Sequence, residues 1–414
     1  MSCKSIRLDE CCQIELSGID KKAKMNEQKV FLCNFTDVYY NWNIYKSMID
    51  SFMIATTSKN NILKFSLKSG DVVITKDSET RDDIGIPAYI YDKLDNTVLG
   101  YHCALIRPEK DIMGAYLNAY LNSYLGRKHF SNQASGSGQR YTLTKESIGS
   151  INIPLIPIYQ QQKIGDLFNY IDEKITLNNK IISELESMAK TIYDYWFLQF
   201  EFPNEEGKPY KSSGGKMVWN EELKREIPEG WDITNIGNIT KCLDSQRIPL
   251  SSNDRASRKG IYPYYGATEI MDHIDSFIFD GDYVLLAEDG SVMNEEGFPI
   301  LQRAKGKIWV NNHAHILKPI NSYHCRLLIY ILSYIPVAQI KTGSVQMKVN
   351  QENLNAYKVL DIPKKLIFKI NNVLDTIDNK ILELQKENQE LTSLRDFLLP
   401  LLMNGQVGFK DEKK

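Results

Sequence analysis

The stretch Ile171-Asp172-Glu173-Lys174-Ile175 returns 206 residues later as Ile377-Asp378-Asn379-Lys380-Ile381. The same offset relates Ile156-Pro157 to Ile362-Pro363, Lys163-Ile164 to Lys369-Ile370, and Leu185 to Leu391. Upstream it relates Glu146 and Ile148 to Glu352 and Leu354. Just before these pairs, Gly136-Ser137-x-Gln139 resembles Gly343-Ser344-x-Gln346 with a shift of one residue. A constant offset held over some 45 residues marks an internal repeat, and a repeat decides architecture.

Both repeated segments have helical periodicity after their proline. Ile164, Leu167, Phe168, Ile171, Ile175, Ile182, Leu185, Met188 and Ile192 recur mostly at three- and four-residue steps. The second copy offers Ile370, Val373, Leu374, Ile377, Ile381, Leu384, Leu391, Leu394 and Leu398. Such spacing places the apolar residues on one helix face. Only Gly165, in the first turn, interrupts either run, and Pro400 is expected to end the second. The predicted helices span 158–200 and 364–402, and about 40 residues of helix measure about 60 Å. A lone stripe of that length stays unburied, so the two helices are expected to pair as a coiled coil. A two-fold relation between equal units makes that pair antiparallel, with a globular domain at each end.

The globular parts read as mixed α/β, an α+β arrangement with a pseudo-two-fold repeat. In residues 1–157, Val72-Val73-Ile74-Thr75 and Tyr89-Ile90-Tyr91 have strand character. Gly114 to about Phe130 reads as one helix, with Tyr116, Leu117, Tyr120, Leu121 and Tyr124 on a single face. Residues 201–230 are rich in Gly, Pro and Ser and read as a connector. A second domain follows over 231–363, with strand-like pieces at 276–279, 283–286 and 308–310 and a helix near Cys325 to Ser333. Residues 403–414 form a polar tail. The centres of the two domains differ although their edges repeat, which suggests one scaffold carrying two specificities.

Composition narrows the function. With 414 residues, 43% hydrophobic and 25% charged, the chain suits two or three soluble domains. No apolar run reaches about 18 residues, so no membrane span is expected. The opening MSCKSIRLDECC lacks the basic stretch and apolar core of a signal peptide, which makes the cytoplasm the expected location. Seven cysteines, none in a C-x-x-C pair, read as buried or free thiols. A net charge of −2 leaves DNA binding open, because specific readers can concentrate their basic groups locally.

Enzyme signatures are missing. There is no Pro-Pro pair for an amino-methyltransferase motif and no G-x-x-x-x-G-K-[ST] loop for an ATP-driven motor. Glu222-Leu223-Lys224 lacks the preceding Pro-Asp of a nuclease site. Asn312-His313-Ala314-His315 would place two imidazoles on one side of a strand. With no third ligand nearby in sequence, a hydrogen-bonding role is expected and no metal site is assigned.

DNA-reading loops are better placed. In the first domain the candidates are Lys76, Ser78, Glu79, Thr80 and Arg81 after a strand, Arg127 and Lys128, and Ser137, Gln139 and Arg140 in a small-residue loop. Gly and Ser let a backbone approach phosphates, while Gln and Arg can read base edges. In the second domain the corresponding candidates are Tyr264, Tyr265, Gly266, Asp289, Ser291, Asn312, His313, His315, Lys341, Ser344, Gln346 and Lys348. An alternative of another class is a coiled-coil scaffold presenting two protein-binding domains.

Several segments together resemble the specificity (S) subunits of type I restriction–modification systems. They are GDVVITKDSE (70–79), GSGQRYTLT (136–144), IPLIPIYQQQKIGDLF (153–168) and GKMVWNEELKREIPEGW (215–231). The second half adds YPYYGA (262–267), FDGDYVLLAEDGS (279–291), WVNNHAHIL (309–317) and TGSVQMKVN (342–350). The resemblance covers essentially the whole chain. It implies two target recognition domains that each read one half of a bipartite site on double-stranded DNA. It also implies helices that set the spacing and dock two methyltransferase (M) subunits, with restriction (R) subunits added. The chain would be non-catalytic and hold no cofactor. S-adenosylmethionine, ATP and Mg would belong to the partners. Base contacts vary within the family, so none is carried over.

Overall fold

The computed structural model describes residues 4–109, 111–343 and 347–409. The chain divides into two compact units, 1–180 with 384–414, and 181–383. Each repeated helix contributes to both units.

The first long helix, Ile158–Tyr193, ends in a single π turn, Asp194–Leu198. The second, Lys364–Met403, runs through Pro400, which the sequence pattern placed at its end. Proline removes one backbone donor, and in the last turn that costs only one bond. Leu399, Leu402 and Met403 around it are buried, which holds the final turn in place.

Within the first unit the two helices lie antiparallel. Ile164, Phe168 and Ile171 share a core with Leu399, Leu402 and Met403, and Leu167, Ile175 and Leu391 pack at its edge. Further along, Asn178 bonds Asn388. Gly165 permits the closest approach to the globular part, because a Cβ there would lie 2.7 Å from Cβ of Ala115. Within the second unit, Ala189 and Tyr193 share a core with Ile370, Leu374, Ile377 and Ile381, with Leu185 and Val373 beside them. Met188 and Leu394, expected on the stripe, are exposed instead.

The globular part of the first unit is built on five strands in the order Cys12–Leu16, Cys103–Pro108, Val72–Thr75, Pro87–Ile90 and Asn43–Ile44. The first four are mutually antiparallel and the last pair is parallel. The second unit repeats this plan. Thr240–Cys242, Ala314–Pro319, Phe279–Ala287, Leu301–Val310 and Lys259–Tyr265 follow in the same order with the same senses, and Ile270–Ile274 is added at the edge. The entry into each sheet also repeats: strand Ser5–Arg7, one helical turn Leu8–Cys11, then a strand, against Asp232–Asn235, Ile236–Ile239, then a strand. In each case the first strand pairs antiparallel with the strand just before the long helix, Asn152–Pro154 or Lys358–Asp361.

Three local expectations are corrected. The helix read over 114–130 is two helices, Gly114–Asn122 and Tyr124–Gln133, broken at Ser123, whose ψ is 164°. Ser123 Oγ donates to the Tyr120 carbonyl at 2.6 Å and competes with the helix ladder. Tyr124 consequently leaves the shared face and is exposed. The connector over 201–230 contains a hairpin, Met217–Asn220 with Arg225–Pro228. Phe202 stacks on Tyr210 and Trp231 and anchors the segment to the core.

Candidate nucleic-acid interface

Strand register puts one acidic-histidine arrangement at the same place in both sheets. In the first unit Thr75 pairs with Cys103, and the next residue, Lys76, donates its N–H to the His102 carbonyl at 2.8 Å. In the second, Ala287 pairs with Ala314, and Glu288 donates to the His313 carbonyl at 2.9 Å. The carbonyls of Lys76 and Glu288 then accept from Leu143 and Val349, which are 206 residues apart. The following residues are Asp77 and Asp289. Asp77 Oδ2 lies 2.9 Å from His102 Nδ1, and Asp289 Oδ1 lies 2.7 Å from His313 Nδ1.

Around the first pair the chain forms a groove of about 880 Å³. It gathers Lys76, Ser78, Glu79 and Thr80 with Gln139 and Arg140, so the two loop segments chosen in the first domain meet. They meet because Asp77–Ser78 pairs with Arg140–Thr142, which in turn pairs with Ser135–Ser137. Phe35, Tyr39, Tyr101 and Tyr141 supply aromatic walls. Asp77 is the hub: it accepts from Thr142 Oγ1 at 2.7 Å and Lys76 Nζ at 2.9 Å as well as facing His102. Burial alone would raise its pKa, but these donors outweigh burial and hold it below the usual carboxylate range.

Several candidates have structural duties. Lys76 is only 8% exposed, and its ammonium sits 4.5 Å from the Tyr101 ring centroid. Arg127 donates to the carbonyls of Ile84 and Asp82, and burial lowers its pKa, so its guanidinium is spent inside the domain. This corrects its assignment to a DNA face. Arg81 lies over Tyr141 and Lys128 over Tyr124. Ser137 is exposed.

In the second unit a pocket of about 220 Å³ is lined by Asp244, Arg247, Glu288, His315 and Lys348. Arg247 Nη1 donates to Glu288 at 2.5 Å, and Lys348 Nζ lies 2.9 Å from the same carboxylate. Burial would raise the Glu288 pKa, yet these cations lower it. Asn312, His313, Ser291 and Lys348 are exposed, Asp289 and Lys341 are half-buried, and Gly266 turns back to bond Glu269. Tyr264, Tyr265 and His315 are 1%, 9% and 2% exposed, which corrects their assignment to a DNA surface. The two tyrosines lie in a sheet strand whose parallel partner is Trp309-Val310. Ser344 and Gln346 lie outside the described residues.

The paired histidines 313 and 315 do not share a side. His315 turns inward, with Nδ1 at 2.5 Å from Asp244 and Nε2 donating to the Val349 carbonyl at 3.1 Å. Cys242, read from the sequence only as a buried or free thiol, brings a third potential ligand atom, all within 4.8 Å. The donor set does not suit a cation. Both imidazole nitrogens have partners, and Arg247 and Lys348 already neutralise the nearby carboxylates. Sequence reasoning missed His102 and Arg247. The only signal for His102 was its position between a turn and a strand.

A family model for the type I restriction modification DNA specificity domain matches residues 3–187 and 228–393. The Type I restriction enzyme MjaIX specificity subunit of Methanocaldococcus jannaschii is 25% identical over 66% of this chain and 64% of its own length. The putative specificity subunit S.HindORF215P of Haemophilus influenzae is 31% identical over 39% of this chain and 41% of its own. This chain thus spans less than two thirds of either relative. The HindI specificity subunit of the same organism is 21% identical over 83% of this chain and 88% of its own. The crystal structure of a type I restriction–modification S subunit from M. genitalium covers 100% of this chain and 97% of its own, with a TM-score of 0.56 at 16% identity, and so shares its fold. No helix among the described residues is long and apolar enough to cross a membrane.

Proposed function

The chain belongs to the type I restriction modification DNA specificity family, and on that premise we propose that it selects a bipartite DNA target for partner enzymes. Each unit reads one half-site. The long helices set the distance between half-sites and dock two methyltransferase subunits. Restriction subunits join that assembly. S-adenosylmethionine, ATP and Mg act on the partners, and this chain contributes recognition.

One observation carries this reading. Both units use the same five-strand plan and the same loop positions, yet the side chains at those positions differ, as with Lys76 and Glu288 or Thr142 and Lys348. A fixed backbone with exchanged side chains is what two readers of different sequences require, because base identity is read by side-chain donors and acceptors.

The test is methylation sequencing of cells with and without this gene. Loss of one adenine-methylated bipartite motif is the expected outcome. An unchanged methylome overturns the assignment and favours a protein-binding scaffold.

A further inference from the structure

The Asp77–His102 and Asp289–His313 pairs stand out because they are the same in two units that exchange the residues directly beside them, Lys76 for Glu288 and Thr142 for Lys348. Their equivalence is structural. Each histidine precedes the same sheet strand, each aspartate follows the same neighbouring strand, and each is framed by the same two backbone hydrogen bonds. Each imidazole is about half exposed, with side-chain exposures of 57% and 49%. In each, Nδ1 faces a carboxylate, and Nε2 has no hydrogen-bond partner among the described residues.

Resting on the reading above, we propose that His102 and His313 are matched phosphate contacts, one in each recognition unit. Residues that read bases must differ between units with different half-sites. Residues kept identical at one backbone position must meet what both half-sites share, the sugar-phosphate backbone. The aspartate supplies the means: it accepts a hydrogen bond from Nδ1–H and fixes the ring plane, so that in the protonated ring Nε2–H points outward to donate to a phosphate oxygen. A ring bridging a carboxylate and a phosphate donates through both nitrogens and carries positive charge in the complex.

The position fits that task. The first pair lies at the wall of the groove that collects Ser78, Glu79, Gln139 and Arg140, and the second lies next to the exposed Asn312. A backbone contact there would fix the register in which neighbouring side chains meet base edges.

The experiment uses the full complex with its methyltransferase partners. Binding to the cognate duplex and to one with scrambled half-sites is measured across salt concentration for the parent, His102→Asn, His313→Asn and the double variant. Each single substitution should weaken both duplexes by a similar factor, about five- to tenfold. Each should also lower the slope of log K against log salt by about one. The methylated motif should stay unchanged.

Unchanged affinity and salt slope would overturn the proposal. So would a motif that relaxes at a position of one half-site, which would make the histidine a base reader. Should a histidine variant fail to fold, Asp77→Asn and Asp289→Asn keep the rings and loosen their orientation, and they should give a smaller loss of the same sequence-independent kind. A sequence-dependent loss from them would equally overturn the proposal. If the parent complex shows no bipartite preference, the underlying reading fails, which is a separate result from a parent that reads its site with histidines that do not matter.

Discussion

The two units fasten their helix to their globular part at the same repeated aspartate, with opposite chemistry. In the first, Asp172 accepts from the Tyr45 hydroxyl at 2.8 Å. Trp42 packs on Phe168 beside it, at 5.6 Å between ring centroids, and the Arg395 guanidinium covers Trp42. In the second, Asp378 is 4% exposed and bonds both Arg303 and Arg326, while Arg303 also donates to Asp282 at 2.6 and 3.0 Å. His324 lies 3.6 Å from the same carboxylate. A buried carboxylate has to be neutralised or compensated. The first unit meets this with a hydroxyl donor and a carboxyl pushed up to about 6, and the second with two guanidinium groups on one carboxylate. Backbone position at the joint is therefore held while its side-chain chemistry changes, as it does in the candidate interface loops at Lys76 and Glu288.

The largest effect should come from breaking the compensated joint. Burial would lower the Arg303 pKa, but Asp282 and Asp378 outweigh it and raise it, so the three groups form one charge network. Arg303→Met strips Asp282 of its cation and leaves Asp378 with Arg326 and the neighbouring His324. Removing one partner from a buried pair costs about 3–5 kcal/mol. Tyr45→Phe in the other joint removes two hydrogen bonds, one to Asp172 and one from Asn43, and should cost about 2 kcal/mol. Hydrogen-exchange protection in residues 364–383 for the first variant, and 158–180 for the second, measures each joint locally. Equal costs would dissolve the contrast between the units.

Acidity offers a second way to separate them. Burial pushes the Asp172 carboxyl up to about 6, against smaller lowering effects of Tyr45, Arg395 and Asn43 and a raising one from Glu173. A pKa raised by folding contributes stability that is complete below the unfolded value, about 3.9, and is lost as pH rises through about 6. The first unit should therefore lose up to about 3 kcal/mol between pH 4 and pH 7 relative to Asp172→Asn, whose amide does not titrate. Urea unfolding of both proteins across that range measures the difference. Parallel stability curves would mean that Asp172 stays ionised, and the two joints would then be alike.

How far this was legible follows from what repeats. The helices were readable because Ile-Asp-x-Lys-Ile keeps its identity and the offset of 206 holds without a gap. The strand–turn–strand at each domain entry also repeats, but Leu8 and Cys11 correspond to Ile236 and Ile239 at an offset of 228, so only apolar character survives. Val72–Thr75 was found as a short apolar run, whereas Phe279–Ala287 and Leu301–Val310 were cut short by Gly281 and Gly306, which face each other across the pair. The polar composition of 201–230 concealed a hairpin held by a few aromatic side chains. The interface loops were legible as loops. The Asp–His pairs were not, since strand register alone joins residues 25 apart in one unit and 24 apart in the other.

The smallest effect on stability, and the finest test of the contrast, lies in the helix pair. Asn178 is fully buried and donates to Glu387 Oε2 at 2.8 Å and Asn388 Oδ1 at 2.9 Å, while Asn388 donates to Asn179 at 2.8 Å. Lys174 reaches Glu387 at 3.3 Å. The residue 206 positions on from Asn178 is Leu384, which is 4% exposed, so one copy carries a polar group where the other is apolar. A buried asparagine between paired helices favours one register at some cost in stability, because any slip leaves its amide without partners. Asn178→Leu should then melt no lower than the parent and gain up to about 1 kcal/mol. Its penalty should appear in specificity, as methylation spreading to targets whose spacer differs by a base pair. A variant that melts lower and keeps the parent's spacer would show that the polar layer serves stability and leaves register to the apolar stripe.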